Sequence, residues 1–586
     1  MASTSKSFFS APMPTDHSSP SFSALGTGLV PQLLESDLFR ATAHGMRPDE
    51  RFRTAIAKAQ LIASVYPISL DDIEDCAFSL WNLHFDPIIC EDGAMTTLLT
   101  IQYNLVLGTI LDRVGKRQDL ADSGLLDGLL KYRISGQFCL TEVDHGLDAA
   151  NIETTATFLD NDRGYILSTP HPGAAKYMPP TAPFGIPAVG VVMARLVRDK
   201  VDLGVKPFLV PIHDGTTLKS GIVIRMLPNR GGSSPVTHTI TSFHDVALPA
   251  TALLQRDSPK GFDDAQERRI DFLLSVWRAA IGSLALSATS VQILSHSACI
   301  VAHYSQRRLV GGSPILRFST QHAPILVALA RSFVLREFYR AAVPVFRGDM
   351  LDFRVRHGMA ACFKLVAVRF TQEGMTALSE RCGAQGLFAF NRIWEMQSDA
   401  RGIAIAEGDV LVLAIRLATE LLLERYSLDD LWPTVDSPLS RHAQSLLATF
   451  RATLQSLDSH RSDSFNSKII PHCTLIVEAL GLQMAFDAAV RAGLAAEMVE
   501  LFLVTSMRRD EGWYIENMHM RQSELVRREE TAIARALPKL EQWVDASGAT
   551  PYVTAPIQSQ EEWDKFVAGL TAFRAPEEQH LELAKL

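Results

Sequence analysis

Phe138-Cys139-Leu140-Thr141-Glu142-Val143-Asp144-His145-Gly146, followed a few residues later by Glu153-Thr154-Thr155-Ala156-Thr157-Phe158, stands where the periodicity of the chain changes. Upstream, from about Pro31 to Tyr132, apolar residues recur at three- and four-residue steps, the spacing of one helix face. Asp37 reads as a cap for a helix through Arg40, Asp49 as a cap for Glu50–Tyr66, and Ser69-Leu70-Asp71-Asp72 as the next start, because short polar side chains satisfy free amides there. Downstream come short runs rich in β-branched residues: Thr154–Leu159, Tyr165–Ser168, Ala188–Val197, Pro207–Ile212, Gly221–Met226 and Thr237–Val246. Turn residues separate them, among them Asn161-Asp162-Arg163-Gly164, His213-Asp214-Gly215 and Asn229-Arg230-Gly231-Gly232. This spacing predicts a compact β-barrel or sandwich set between helical regions.

Beyond the linker-like Asp257-Ser258-Pro259-Lys260-Gly261, helical periodicity returns. Trp277, Ile281, Leu284, Val291 and Leu294 share one stripe, and Ile325, Leu329, Phe333 and Phe338 another, as in a helical bundle. A polar break at Tyr426–Ser440 leads to a last helical region with Leu475, Val477, Leu480, Leu482 and Phe486 on its apolar faces. The expected fold class is α+β and mostly helical. It divides into a disordered lead-in (1–28), an N-terminal helical domain (29–135), a central β-barrel domain (136–256), a helical bundle domain (257–428) and an additional C-terminal helical domain (429–586).

Composition narrows the function. The 586 residues carry 56 Lys and Arg against 65 Asp and Glu, a net charge of −9, so no nucleic-acid partner is expected. The seven cysteines form no CxxC pair, which argues against a disulfide framework and a zinc site. A bilayer span needs ~20 mostly apolar residues. Ile186–Val197 and Val410–Leu423 are shorter or carry charge, so a soluble chain without a membrane span is expected. Residues 1–28 have neither the basic start and apolar stretch of a secretory signal nor the arginines of a transit peptide. The last three residues, Ala584-Lys585-Leu586, resemble the peroxisomal Ser-Lys-Leu address, which implies a peroxisomal location and an import receptor as partner. GxSxG, HExxH, GxxxxGK[ST] and GxGxxG after a strand are all missing. His238 and His244 share a strand face, but no carboxylate completes a metal site. They read as surface or core histidines.

Further segments stand out in order: Tyr165–Lys176-Tyr177, Pro207–Ile212, Phe243–Pro249, Tyr304-Ser305-Gln306-Arg307-Arg308 with Thr320-Gln321, Arg381-Cys382-Gly383-Ala384-Gln385-Gly386, and Ala406-Glu407-Gly408-Asp409. Asp510–Asn517 and Pro551–Ile557 follow. Together with Phe138–Gly146 and Glu153–Phe158, these resemble the acyl-CoA oxidase branch of the acyl-CoA dehydrogenase superfamily over residues 40–570. The resemblance implies an FAD-dependent oxidoreductase. Such an enzyme desaturates an acyl-CoA thioester at its α,β bond, with O2 as acceptor and H2O2 as product. It also implies a homodimer with the cofactor at the subunit interface.

By the same resemblance Glu407 is the catalytic base that takes the α-proton. Phe138, Leu140 and Thr141 present backbone and hydroxyl groups to the flavin ring, and Lys176 and Tyr177 border it. Arg307, Arg308 and Gln321 reach the pyrophosphate and adenosine from the neighbouring subunit, and Gly383 and Gly386 allow close backbone approach. Each residue has a plainer reading beside this one. Asp409 is a good N-cap for the apolar helix Val410–Arg425, Thr141 a β-branched strand residue, the arginines an exposed helix end, and Gly383 and Gly386 a helix-terminating turn.

The departures from the pattern gather near flavin and substrate. Pro180 stands at a family glycine whose N–H is thereby lost, with Thr181 at the next. Asp144 replaces a glycine, Leu147 and Asp148 replace Ser-Asn, Asn229-Arg230-Gly231 replaces Lys-Met-Gly, and Val310 lies near a usual phenylalanine. They motivate an alternative: a flavin oxidase or dehydrogenase of specialised metabolism, with the same fold, acting on an unusual acyl thioester or a small non-CoA molecule. A third reading, a flavin-free homologue serving as a binding partner, predicts a protein that stays colourless with added FAD.

Overall fold

The computed structural model describes residues 33–40, 46–159, 164–233, 235–255, 265–348, 350–429 and 431–574. The lead-in, the Asp257–Gly261 linker and Ala584-Lys585-Leu586 lie outside the described residues. Helices fill the region before residue 131, and the first long one is α1 (Pro48–Val65). Ser69 caps the helix after it, its Oγ accepting the Asp72 N–H at 3.1 Å. Asp49, by contrast, lies in the first turn of α1, because Pro48 opens that helix and Arg47 takes the cap position. Asp37 likewise begins its short helix from inside.

A helical stretch from Gly93 to Val114 tightens nothing at its centre; it widens there, through a π turn at Ile101–Leu107. Gln102 on this turn donates to Leu129 O (2.6 Å) and Ile134 O (2.8 Å) and accepts from Gly136 N–H (2.6 Å). One buried amide thus fastens the helices to the start of the β region.

Among the described residues that region has nine strands: β1 (Ser135–Cys139), β2 (Thr155–Leu159), β3 (Gly164–Ser168), β4 (Lys176–Tyr177), β5 (Ala188–Arg198), β6 (Val201–His213), β7 (Ile222–Met226), β8 (Thr239–Phe243) and β9 (Val246–Leu248). The larger sheet runs β1-β5-β2-β3-β9, with β6 antiparallel on β5; β4-β8-β7 form the smaller. Between the sheets Tyr165, Phe208, Ile222 and Phe243 pack into a core of their own. The six expected runs all appear as strands. Thr237–Val246 is split in two, because Asp245 turns the chain with φ +50°.

The bundle follows as α2 (Trp277–Arg307), α3 (Ser319–Arg347), α4 (Phe353–Arg381), α5 (Ile393–Ile403) and α6 (Val410–Leu422). The sequence predicted α6 to reach Arg425. It stops earlier, and Glu424 adopts φ +53° just after it. C-terminal helices α7 (Cys473–Arg491) and α8 (Ala496–Met507) share a core with the bundle, with Phe502 edge-on to Phe370 of α4. The fold class is therefore as expected: mostly helical, with a β unit between helical regions.

Longer apolar stretches occur than the two weighed in the sequence. Gly93–Val114, Trp277–Arg307 and Asp463–Arg491 are long and apolar enough to cross a bilayer. Their most apolar windows are 89%, 94% and 78% buried inside the protein, so their composition reflects packing.

Candidate active site

Glu407 lies in the tight link between α5 and α6. Its φ is +55° and that of Gly408 is +103°, so the link passes through left-handed backbone at both positions. Three successive carbonyls of the link are held by side chains. Lys364 Nζ, from α4, donates to Ala406 O (2.5 Å) and Gly408 O (2.6 Å), and Ser283 Oγ, from α2, donates to Glu407 O (2.5 Å). Asp409 then caps α6, its Oδ1 accepting Leu411 N–H (2.9 Å) and Val412 N–H (3.2 Å).

The Glu407 side chain turns inward onto α2. It occupies the space at Gly282, where a β-carbon would fall 1.0 Å from Oε2. Oε2 is shielded from water and, among the described residues, has no hydrogen-bond partner. Asn104, on the π turn, lies beside the carboxyl and donates its Nδ2–H to Arg278 O at 2.9 Å. Burial raises the Glu407 pKa well above that of an ordinary carboxyl, with Lys364 and Asn104 opposing the shift. Burial lowers the Lys364 pKa, with Glu407 and Asp409 opposing. An enclosed carboxyl, raised toward neutrality and free at one oxygen, has the properties of a general base.

A second group forms at the end of β1. Phe138, Leu140 and Thr141 are half-buried there, and Thr141 O accepts the Tyr177 N–H at 2.9 Å. Tyr177 is 38% exposed and can serve as an aromatic wall. Lys176 is turned the other way and is fully buried. Its Nζ pairs with Glu142 (2.8 Å) and donates to Leu140 O (3.2 Å). Burial raises the Glu142 pKa, but Lys176 and the Glu153 and Thr154 N–H groups outweigh it and hold the carboxylate ionised. Lys176 therefore braces the wall from behind. Pro180 is buried, and Thr181 beside it shares hydroxyl contacts of 2.7 Å with Thr239 and Thr241 of β8. His238 is buried against Met178 O and burial lowers its pKa to about 4, the behaviour of a core histidine.

The third group sits where α2, α3 and α4 end. Gln321 donates to Ser305 Oγ (2.8 Å) and Arg381 O (2.9 Å). Arg307 donates to Gln560 Oε1 (2.7 Å) and Ile557 O (3.1 Å) of its own C-terminal segment, while Arg308 is exposed. Gly383 has φ +56° and open space where a β-carbon would stand. At Gly386 a β-carbon would fall 2.2 Å from Ser379 O, so that glycine is required by the turn itself. Among the described residues, no hydrogen bond or ion pair joins this group to the Thr141–Tyr177 wall.

These residues fit a flavin dinucleotide on three counts: the exposed Tyr177 ring, the accessible Arg308 guanidinium, and the open surface at Gly383. Pro180 withholds one amide. A cavity of about 910 Å³ opens between Lys58, Asp92, Arg230, Arg392 and Asp399, and neither Glu407 nor Thr141 lines it.

Sequence reasoning missed Lys364, Asn104, Gly282 and Ser283. Two of them carried a signal. Lys364 is the one charge in the apolar run from Ala360 to Val368, and Asn104 interrupts an equally apolar stretch.

The fold is that of the acyl-CoA oxidases. Acyl-CoA oxidase 1 from Yarrowia lipolytica superposes with a TM-score of 0.77 at 16% identity, covering 95% of this chain and 93% of that one. Acyl-CoA oxidase-1 from Caenorhabditis elegans, solved with FAD and ATP, gives 0.74 at 16% identity, covering 92% and 90%. The acyl-CoA oxidase C-alpha1 domain family matches residues 282–422, a span that begins at Gly282 and contains Lys364 and Glu407. The peroxisomal acyl-coenzyme A oxidase 2 of Arabidopsis thaliana is 27% identical over 365 residues, 57% of this chain and 51% of the relative. Human peroxisomal acyl-coenzyme A oxidase 3 is 26% identical over 351 residues, 55% and 49%. The chain thus matches about half the length of these curated relatives. On these grounds the chain has the acyl-CoA oxidase fold and is similar in sequence to members of that family over part of its length.

Proposed function

We propose that the chain is an FAD-dependent acyl-CoA oxidase that removes the α-proton and β-hydride of an acyl-CoA thioester. The observation that carries this reading is the Glu407 carboxyl, enclosed against Gly282 with Oε2 unpaired and its pKa raised. In its ionised form the carboxyl takes the α-proton. When bound, FAD supplies two-electron acceptor chemistry, and the electron pair ends on O2 as H2O2. Tyr177 walls the ring, Arg308 offers a planar fork for phosphate, and Thr141 holds the Tyr177 strand in place through its carbonyl. Enclosure of the carboxyl excludes water from the proton transfer.

Glu407→Gln tests the assignment. The variant should keep FAD and shape, while anaerobic bleaching of the flavin by substrate slows by ~10² or more. Bleaching at the wild-type rate would remove Glu407 as the base. The buried Pro180 and the exposed Leu147 favour the second reading, an unusual thioester or a non-CoA substrate on the same fold. Palmitoyl-CoA with a peroxide assay separates the two, since robust peroxide production excludes the second. The Ala584-Lys585-Leu586 tail and the peroxisomal names of two relatives support a peroxisomal location through the import receptor. A homodimer accounts for placing Arg308, Gln321 and Gly383 on a partner's cofactor.

A further inference from the structure

We propose that Lys364 is the positioning residue of the Glu407 link: its ammonium fixes the carbonyls on either side of the base and supplies the counter-charge beside the carboxyl. The inference rests on the reading of Glu407 as base. A non-glycine residue in left-handed backbone is strained and persists only where its surroundings over-determine it. Here the surroundings do so, because Ala406, Glu407 and Gly408 each have the carbonyl held by a side chain from another helix. Two of those bonds are from Lys364, which is 1% exposed in the middle of α4.

Neutral donors could satisfy the same carbonyls without the cost of burying a charge. A lysine does something more, since it also faces the Glu407 carboxyl. The charged and titratable groups around its ammonium are Glu407 and Asp409 from the link, His357 from its own helix, and Arg416 from α6 near His357. Of these, only the two carboxyls are opposite in charge. The ammonium therefore eases ionisation of a base that burial would otherwise keep protonated.

Lys364→Met in the full-length, FAD-loaded protein is the test, with the pH dependence of kcat as the readout. A merely structural role would not move that profile. The variant should retain the flavin spectrum and a KM within about twofold. Its kcat at pH 7 should fall at least ~10-fold, with the acid limb displaced upward by ~1 unit or more. An FAD-loaded Lys364→Met with the wild-type profile overturns the proposal. Thermal melting of Lys364→Met, Glu407→Gln and the double variant supplies an arm that needs no reaction. Non-additive melting shifts, including recovery of folding in the double variant where Lys364→Met fails to fold, support the pairing. Additive shifts overturn it. Full activity of Glu407→Gln with non-additive melting would instead overturn the base reading and, with it, the positioning role.

Discussion

At position 282 a single methyl group decides where the Glu407 carboxyl can lie. The glycine is inside the 31-residue helix α2, where it costs ~1 kcal/mol relative to alanine by propensity alone. Its lack of a side chain is what admits the Glu407 carboxyl. Gly282→Ala should therefore leave the helix intact or slightly better formed and displace the carboxyl. We expect an FAD-loaded, normally melting protein whose flavin bleaches ~10–100-fold more slowly with substrate. Stopped-flow absorbance checks this, and an unchanged bleaching rate would show that the carboxyl does not work from this niche.

Glu407 and Asp409 were legible in the sequence, because Glu-Gly-Asp ahead of an apolar helix announces both a turn and a cap. Gly282 was not, since a glycine among alanines and serines of a long helix looks like any small packing residue. Its partner is 125 positions away in the chain and meets it only through tertiary packing.

Among elements, the join of β1 to β4 is braced by one enclosed ion pair. Lys176 and Glu142 are both fully buried, and Glu142 also accepts the N–H groups of Glu153 and Thr154 that lead into β2. Removing one partner strands a buried charge and costs ~3–5 kcal/mol, whereas replacing both by apolar residues of similar volume is far milder. Lys176→Met should lower the melting temperature sharply, and Lys176→Met/Glu142→Leu should recover much of the loss. Calorimetry on the two variants decides between this bracing role and direct contact with the cofactor, since a residue acting only on cofactor would leave the melting of the flavin-free protein unchanged.

The strands themselves were readable from β-branched runs and turn residues, down to the separation at Asp245, which needed the backbone angle to be seen. The direction in which Lys176 points was not. Lysine in a short strand gives no sign of its face until a carboxylate from another strand claims it.

For the whole molecule, buried histidines set the response to acid. Burial lowers His84 and His238 to about 4, and His296 and His357 to about 3, all below the ~6.5 of an unfolded chain. Their contribution is present above that unfolded value and is lost as pH falls, because the unfolded chain takes up protons that the folded one refuses. Burial lowers His213, His303 and His442 as well, whereas it raises Asp399 and Asp487 to about 6, Glu407 to about 8 and Glu91 above its ordinary value, which works in the opposite sense. Seven histidines outweigh four carboxyls, so stability should fall from pH 7 to pH 5. Melting temperatures across that range test it, and a flat or rising curve would contradict the count. The helical architecture around the β unit followed from periodicity alone. The shared core of α7 with the bundle did not, since the stripes record that a helix is covered but not by which neighbour.

The three side-chain bonds to Ala406, Glu407 and Gly408 bear on how the protein admits what it acts on. Swinging the acid outward would break contacts to two different helices at once and leave an ammonium stranded in the interior. The acid is in effect a stationary part, and any opening motion falls to the segments facing it. Breathing of the strand layer relative to the helices, rather than a hinge at the acid, becomes the movement to look for by hydrogen exchange: slow at Ala406–Asp409, faster at Val143–Leu147.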